Sequence, residues 1–456
     1  MSIRSYRRIK TNLQELYIKP TVQEVRSILF RNIKIDTIAI HKGTFSFPSE
    51  HLLFSVKNST GKLRMSWYTQ KKDEPPYEDH YATLLLNNTP LVRAQSSGCP
   101  TCESFLAAGY GLPEDSIEIT EAAKALCQSY VGLEDALKCL RPVLGLLHPG
   151  LYILSCSEYF PTNGGGHFFW DVPEDMTPYM ATAELYDHEN YRVLPCFPCF
   201  LYPSQPAQKY DPARVTYYRD RIRTGEMFPP ILAYHIYGYM SVLLDGHHRT
   251  CACALEGVQV PCLTISQPGR IWREGIPHIV WPDNSETPVK ELLSTKLQKL
   301  FEHQVFGERM KPLQTADNPI QFPHPWPSEY AKAVRQYPTC WEAGCLALYP
   351  QIKLNEDGLR MLAQDDDYEE AYTAASLLAY AARQPETDVK GLAMKFTELA
   401  IPEPLRRTAF EILDQIKDDP EVDDLMIQIL VNCERKDDPI YQIADGHWGK
   451  NEHSFL

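Results

Sequence analysis

The residues best suited to chemistry lie in one stretch, which reads Asp245-Gly246-His247-His248-Arg249. An arginine at such a position can bind phosphate oxygens through two parallel hydrogen bonds. The imidazoles titrate near neutral pH, so either is a candidate hydrogen-bond donor, acid or base at a transferring group. The aspartate is a candidate ligand of Mg²⁺ or acceptor of the proton of an attacking hydroxyl. The stretch therefore predicts a site for an anionic substrate.

The flanking segments predict a strand, a tight turn and a helix around this stretch. Residues 242–244 form a short apolar run typical of a strand, and good helix formers from Thr250 onward predict a helix that ends at Gly257. Such a junction directs backbone N–H groups and the positive end of a helix dipole toward the turn, where they favour a phosphate. We expect two sets of residues here, phosphate-binding Gly246, His248, Arg249 and Thr250 and catalytic Asp245, His247 and His248.

Two other interpretations of the turn stay open. The histidines could serve only to cap the helix. They also lie four and three residues before Cys251, a spacing that places metal ligands on one face of a helix. A helix that begins near Arg249, as the sequence predicts, makes this second arrangement less apt.

Two Cys-x-x-Cys pairs are further candidate metal ligands. The first pair is Cys99 and Cys102, and the second is Cys196 and Cys199. Four thiolates complete a tetrahedral structural Zn²⁺ site, although the long separation of the pairs is unlike that of a zinc ribbon. Two unrelated pairs of packed thiols are the alternative.

Composition limits the class of protein. The 456-residue chain is 44% hydrophobic and 23% charged, which predicts folded domains, and its net charge of −14 disfavours a general nucleic-acid binder. No run of about 18 apolar residues occurs, and the first residues lack the apolar segment of a signal peptide. We therefore predict a cytoplasmic protein with no membrane partner, whose thirteen cysteines are mostly reduced.

Residues 200–265 follow a recognisable order of predicted elements. A helix begins at Asp211-Pro212, a strand begins near Pro229, and a second strand leads into the Asp-Gly-His-His-Arg turn, its helix and a last strand at 260–265. This order resembles the ParB/sulfiredoxin superfamily, which includes CTP-hydrolysing chromosome-partitioning proteins, sulfiredoxins and free serine kinases. In these proteins the corresponding turn lies under nucleotide phosphates. Asp-Gly-His-x-Arg is most similar to the serine-kinase-like branch.

The resemblance implies a function as well as a fold. It implies that the chain binds ATP or ADP, with CTP as a further candidate, together with Mg²⁺ at Asp245. It also implies transfer of a phosphoryl group to a small serine-like hydroxyl compound, or hydrolysis of the nucleotide. His247 stands where sulfiredoxins carry their cysteine nucleophile, so sulfur chemistry is not expected. No counterpart of the upstream glutamate of the kinase-like branch is found at 202–206.

Two other functional classes are compatible with the same turn. The first is a nucleotide-gated protein-interaction module without turnover, whose C-terminal helices contact a protein partner. The second is a ParB-like nuclease or DNA-binding factor, which is disfavoured by the acidic charge and by the lack of a helix-turn-helix signal.

The whole chain is predicted to be a multi-domain α+β protein. Three strand-like runs at 33–40, 52–56 and 63–68 predict one antiparallel sheet, and residues 97–140 show a helical pattern. Successive amphipathic helices separated by prolines resemble HEAT-type pairs toward the C-terminus. The expected division is an N-terminal α+β domain at 1–145, a ParB/sulfiredoxin-like nucleotide-binding core at 146–310, a proline-rich linker at 311–327 and an all-α HEAT-like domain at 328–456.

Overall fold

The computed structural model describes a mixed α/β protein with a mixed β-sheet and a C-terminal helical region. The described residues are 32–43, 50–71, 78–87, 89–96, 103–107, 116–161, 200–205, 209–226, 228–237, 240–283, 285–306, 342, 345–346, 349, 351–364, 368–384, 386–433 and 435–449. None of the helices within these ranges is long and apolar enough to cross a membrane.

The strands form three sheets. They are β1 (Lys34–Lys42), β2 (Glu50–Lys57), β3 (Leu63–Lys71), β4 (Glu78–Leu86), β5 (Thr89–Ser96), β6 (Glu103–Ala107), β7 (Gly150–Tyr159), β8 (Phe200–Tyr202), β9 (Ile231–Tyr237), β10 (Met240–Asp245), β11 (Val260–Ser266), β12 (Gly269–Arg273), β13 (Ile276–Val280) and β14 (Glu286–Pro288). The main sheet has the order β1-β2-β7-β11-β9-β10-β8, and smaller sheets have the orders β3-β4-β5-β6 and β12-β13-β14. The pairs β8–β10 and β9–β11 are parallel, and the other pairs of the main sheet are antiparallel.

Helices occur between the strands and throughout the C-terminal region. They are α1 (Ile117–Ser129), α2 (Leu133–Cys139), α3 (Arg141–Leu144), α4 (Pro212–Arg223), α5 (His247–Leu255), α6 (Val289–Leu292), α7 (Thr295–Phe306), α8 (Glu356–Leu362), α9 (Tyr368–Ala382), α10 (Val389–Met394), α11 (Glu403–Asp414), α12 (Pro420–Asn432) and α13 (Pro439–Gly446). In α10, α12 and α13 an aspartate at the N-cap accepts a hydrogen bond from a backbone N–H of the first turn, and Asn355 does the same for α8.

The main sheet is buried on both faces at its centre. In β2, Leu52 and Phe54 pack into the largest core, whereas Leu53 between them packs into a second core on the opposite face. The largest core also contains residues of α1–α5 and of the sheet β3-β4-β5-β6, and the second contains residues of β13, α6 and α7. Burial on both faces explains why the central strands read as continuous apolar runs in the sequence.

The structure corrects three expectations from the sequence. The strands predicted at 33–40 and 52–56 belong to the main sheet, whereas the one predicted at 63–68 belongs to a different sheet. Within the stretch predicted to be helical, Glu103–Ala107 is a strand that pairs with β5, because a short apolar run does not distinguish strand from helix until its neighbour is known. The helix after the Asp-Gly turn begins at His247 rather than near Arg249.

The boundary predicted at residue 145 does not divide two domains. Strand β7 pairs with β2 on one side and with β11 on the other, so segments before and after residue 145 share one sheet and one core. The composition of residues 140–150 does not predict this long-range pairing, because the partner strands lie elsewhere in the sequence. The proline-rich segment at 311–327 lies outside the described residues.

A separate core joins the C-terminal helices. It includes Leu377 of α9, Leu405 and Phe410 of α11, and Met426 of α12, all of them buried. His447 contacts Asp414 of α11 through Nδ1 (2.9 Å) and Asp423 of α12 through Nε2 (3.1 Å). The described part of the C-terminal region is therefore helical and has a core of its own.

A row of polar side chains crosses one face of the main sheet. His41, His51, Ser155 and Thr264 are direct cross-strand neighbours on β1, β2, β7 and β11. The ring of His51 is fully buried, and its Nδ1 lies 2.8 Å from Ser155 Oγ. Burial lowers the pKa of His51 to about 4. The negative charge of Asp283 raises this pKa, but by less than burial lowers it. His51 is therefore neutral in the folded protein at neutral pH.

This burial predicts a loss of stability in mild acid. Below pH 6.5 the unfolded chain protonates its histidines, whereas folded His51 takes up a proton only near pH 4, so stability falls as pH drops across this window. The expected cost from His51 at pH 5 is about 2 kcal/mol relative to pH 7. Chemical denaturation at both pH values measures it.

The variant His51→Gln removes the titration and keeps a hydrogen-bonding group. Its stability should change less between pH 7 and pH 5 than that of the unchanged protein. The control His278→Gln alters a histidine whose side chain is solvent-accessible and should leave the pH dependence as it is. An equal pH dependence in the unchanged protein and in His51→Gln would contradict the prediction.

Candidate functional site

The predicted turn joins β10 to α5 through a single residue in a left-handed conformation. Strand β10 ends at Asp245, Gly246 has φ +98°, and α5 begins at His247. A Cβ atom on Gly246 would lie 2.4 Å from Cγ2 of Ile231 on the neighbouring strand β9. Both the conformation and the close approach require glycine here.

His247 is a buried acceptor of backbone hydrogen bonds. Its Nε2 accepts from the N–H of Ser204 at 3.1 Å and from the N–H of Gln205 at 3.2 Å. Burial, reinforced by the neighbouring His248, lowers the pKa of His247 to about 3. The ring is therefore neutral and fastens the segment after β8 to the start of α5. This arrangement conflicts with the predicted role of His247 as an acid, base or phosphate donor.

His248 holds the start of the preceding helix in a similar way. Its Nε2 lies 3.0 Å from the backbone N of Asp211 and 3.1 Å from the backbone O of Lys209. Asp211 is the N-cap of α4, and its side chain accepts from the N–H of Ala213 and of Arg214. The ring of His248 thus links α5 to the capped end of α4, a positioning role that the sequence did not predict.

Arg249 is largely buried and is engaged by the protein itself. It donates from Nη1 to the carbonyl O of Pro229 at 2.6 Å and from Nη2 to Asp245 Oδ2 at 3.1 Å. Thr250 is fully buried, and its hydroxyl donates to the carbonyl O of Gly246. The Thr250 hydroxyl is thus used as a donor inside the helix, and the expected role of Thr250 in phosphate binding stays a prediction. Asp245 keeps about 31% of its side chain exposed.

A cavity of about 630 Å³ lies over this turn. Its described wall comes from four parts of the chain, which are the β4–β5 hairpin (Leu86, Leu91), α1 (Ser116, Ile119, Thr120, Ala123, Lys124, Cys127, Gln128), α4 with the loop after it (Arg214, Tyr217, Tyr218, Arg221, Glu226, Phe228, Pro229), and the site segments 204–205 and 244–249. The volume is within the range of small-molecule sites. The structure therefore places all of Asp245, Gly246, His247, His248 and Arg249 at one cavity.

The cavity wall is basic although the chain is acidic. Its described lining has four basic side chains, of Lys124, Arg214, Arg221 and Arg249, against the two carboxylates of Glu226 and Asp245. Arg221 binds Glu226, and Arg249 binds Asp245. Among the described residues, neither Lys124 nor Arg214 has an acidic partner within ion-pair distance. These two side chains give the described lining of the cavity its net positive charge.

Sequence reasoning missed the contributions of α1 and α4. Lys124 lies four residues after Thr120 and four before Gln128, which makes a polar stripe on an otherwise amphipathic helix. Arg214, Tyr217 and Arg221 follow a comparable spacing on α4. Such stripes are visible in the sequence, but solvent-facing helices show them too. The contact between α1 and β10 joins segments that are more than 100 residues apart in the chain, so it appears only in the tertiary structure.

No metal centre is found in the part of the chain that the structure describes. Within it, no three His, Cys, Asp or Glu side chains are grouped as metal ligands. Burial raises the pKa of Cys251 and raises that of Cys253 to about 12, so both are thiols in the protein without a metal. The ring nitrogens Nε2 of His247 and His248, the other ligands in the alternative with Cys251, are in hydrogen-bond contact with backbone groups. Cys99, Cys102, Cys196 and Cys199 lie outside the described residues, so the Zn²⁺ hypothesis stays a prediction.

Comparisons with known proteins found no matching family model, no matching curated protein and no matching solved structure. The resemblance to the ParB/sulfiredoxin superfamily therefore rests on the residues of the turn and on the order of elements around it.

Replacing Gly246 by alanine should destabilise the protein strongly. The left-handed conformation costs a non-glycine residue about 1–2 kcal/mol, and the contact with Ile231 adds about 1–3 kcal/mol. Gly225→Ala is the matched control, since Gly225 has φ +75° but nothing within 4 Å of an added Cβ. Chemical denaturation should give a larger loss for Gly246→Ala than for Gly225→Ala. Equal losses would show that Ile231 does not restrict the turn.

Proposed function

We propose that this cavity binds a nucleoside di- or triphosphate, and that the protein transfers a phosphoryl group from it to a hydroxyl compound or to water. The observation that carries the proposal is that the start of α5 lines one cavity together with two cations, Lys124 and Arg214, that have no acidic partner among the described residues. The first backbone N–H groups of a helix have no partner inside it, and the helix dipole adds positive potential there. Phosphate is the ligand that such a wall favours.

The composition of the cavity fits a nucleotide better than a bare anion. Besides its cations it is lined by the aromatic side chains of Tyr217, Tyr218 and Phe228 and by apolar residues of α1. The resemblance to the ParB/sulfiredoxin superfamily supports the same ligand class, with ATP or ADP as the first candidates and CTP as the next. DNA is not proposed as a ligand, because the chain carries a net charge of −14.

Asp245 is the residue proposed for the chemical step. It is the carboxylate of the turn, it borders the cavity, and its side chain is partly exposed. Mg²⁺ in nucleotide sites commonly binds one or two carboxylates together with phosphate oxygens, so a single aspartate fits that ion. Bound there, Mg²⁺ would neutralise phosphate charge. Asp245 could alternatively accept the proton of the attacking hydroxyl of a serine-like compound.

The histidines and Arg249 are proposed to position the site rather than to react. Their side chains form hydrogen bonds with backbone groups of four residues. Three of these line the cavity and the fourth lies near it; they are Ser204, Gln205, Pro229 and Asp211. Removing these bonds would leave buried polar groups without partners. This assignment replaces the catalytic roles that the sequence suggested for His247 and His248.

A nucleotide-gated interaction module is the second candidate. The observation that favours it is the direct tie between α5 and the first residues of α4, through which a ligand at α5 would affect α4. In this case the C-terminal helices, which we propose to be HEAT-like, would contact a protein partner. The two candidates share a binding site and differ in turnover.

Nucleotide binding should depend on Lys124 and Arg214. A nucleotide at about 100 times its Kd adds roughly 2.7 kcal/mol of stability, which a thermal-shift panel of ATP, ADP, CTP and GTP with Mg²⁺ detects. Lys124→Ala and Arg214→Ala should each weaken binding by about 10-fold, corresponding to roughly 1.4 kcal/mol. Both side chains are exposed, so the fold should persist. Lys62→Ala, on an exposed lysine away from the cavity, is the control and should bind normally.

The variant Asp245→Asn distinguishes an enzyme from a nucleotide-gated interaction module. Asparagine keeps an oxygen that can accept from Arg249 but loses the charge and the basicity of the carboxylate. An enzyme should retain nucleotide affinity and lose at least about 100-fold in phosphate or ADP release, measured with and without L-serine. Asp220→Asn on the exposed side of α4 should leave turnover unchanged. Negligible turnover in the unchanged protein, with binding intact, would favour the gated module.

A further inference from the structure

Three aromatic rings of the cavity wall contact one another. The rings of Tyr217 and Tyr218 meet edge to face at 5.2 Å, and those of Tyr218 and Phe228 do so at 5.5 Å. Tyr217 lines the cavity and is 51% exposed, whereas Tyr218 packs against the largest core. An exposed ring in a pocket offers a face to a ligand.

Arg221, which is paired with Glu226, contacts Tyr217. Arg221 donates two hydrogen bonds to the carboxylate of Glu226 and a third from Nη1 to the hydroxyl of Tyr217. The guanidinium carbon also lies over the Tyr217 ring, 4.7 Å from its centre, so it covers one face of the ring and a base would stack on the opposite face. Ordering a side chain in advance removes part of the entropy cost of binding.

The base and the phosphates of a nucleotide would contact different groups of this cavity. Arg221 is neutralised by Glu226, so the guanidinium that contacts the Tyr217 ring adds no net charge to this aromatic surface. Lys124 and Arg214, which have no acidic partner among the described residues, attract the phosphates together with the start of α5, and Arg214 lies about one helical turn before Tyr217. A ligand that carries both an aromatic base and a phosphate chain uses both surfaces.

We infer that Tyr217, held by Arg221 and Glu226, is the stacking platform for the base of the bound nucleotide. This inference rests on the proposed function and makes the ligand class specific, because sugar phosphates and inorganic polyphosphates carry no base. Stacking tolerates different bases, since each has a π face. The platform therefore adds affinity for nucleotides without selecting among ATP and CTP.

The test compares ligands with and without a base by isothermal titration calorimetry. ATP, CTP and inorganic tripolyphosphate, each with Mg²⁺, are titrated into the unchanged full-length protein, Tyr217→Ala, Tyr217→Phe and Tyr372→Ala. Tyr217→Ala should weaken ATP and CTP by similar factors of about 5- to 150-fold and leave tripolyphosphate unchanged. Tyr217→Phe keeps the ring and should lose less. Tyr372 is an exposed tyrosine of α9, and its replacement should change nothing.

The outcomes separate this inference from the proposed function. If the unchanged protein binds nucleotides and Tyr217→Ala weakens neither, or weakens tripolyphosphate equally, the stacking platform is refuted while phosphate binding stands. If the unchanged protein binds tripolyphosphate as tightly as ATP, the base contributes nothing and the inference fails again. If it binds none of the three ligands, the proposed function itself is refuted.

Discussion

The structure around the cavity depends on one close approach between backbone and side chain. Gly246 lies against Ile231 of β9 in a left-handed conformation, and this lets the chain pass from strand to helix without an intervening loop. The start of α5 is thereby held next to β9 of the main sheet. Its position decides where the backbone N–H groups and the helix dipole act.

The polar side chains at the start of α5 serve mainly to hold neighbouring segments. His247, His248 and Arg249 are buried, and each contacts main-chain atoms of a neighbouring segment. These segments are the one after β8, the start of α4 and the one before β9, respectively. Burying a neutral imidazole costs little free energy only when its ring nitrogen has a hydrogen-bond partner. For Nε2 of His247 the partners are the backbone N–H groups of Ser204 and Gln205. The two histidines that the sequence marked as reactive therefore hold neighbouring backbone segments in place. The other side chains of the cavity wall come mainly from α1 and α4.

Those other helices supply the charge and the aromatic surface. Lys124 of α1 and Arg214 of α4 provide cations without acidic partners among the described residues, while Tyr217 provides a ring that Arg221 and Glu226 hold in place. A local basic wall in a chain of net charge −14 is consistent with a small anionic ligand, and it differs from the broad basic surface that nucleic acids require. The cavity thus combines two kinds of recognition in one space.

The sequence by itself determined the strand, the glycine and the helix at 240–257, as well as the helical character of the C-terminal region, because these features follow from local periodicity and from glycine and proline positions. It also located the residues that border the cavity at Asp245 to Arg249. Only the tertiary structure decided which of their atoms face the cavity and which bind the chain itself. The partners of His247 and His248 lie some 40 residues away, and α1, which lines the cavity, lies more than 100 residues before α5 in the chain. Contacts of such long sequence separation leave no local pattern, so neither the bracing role of the histidines nor the roles of Lys124 and Tyr217 could be read from the residues alone.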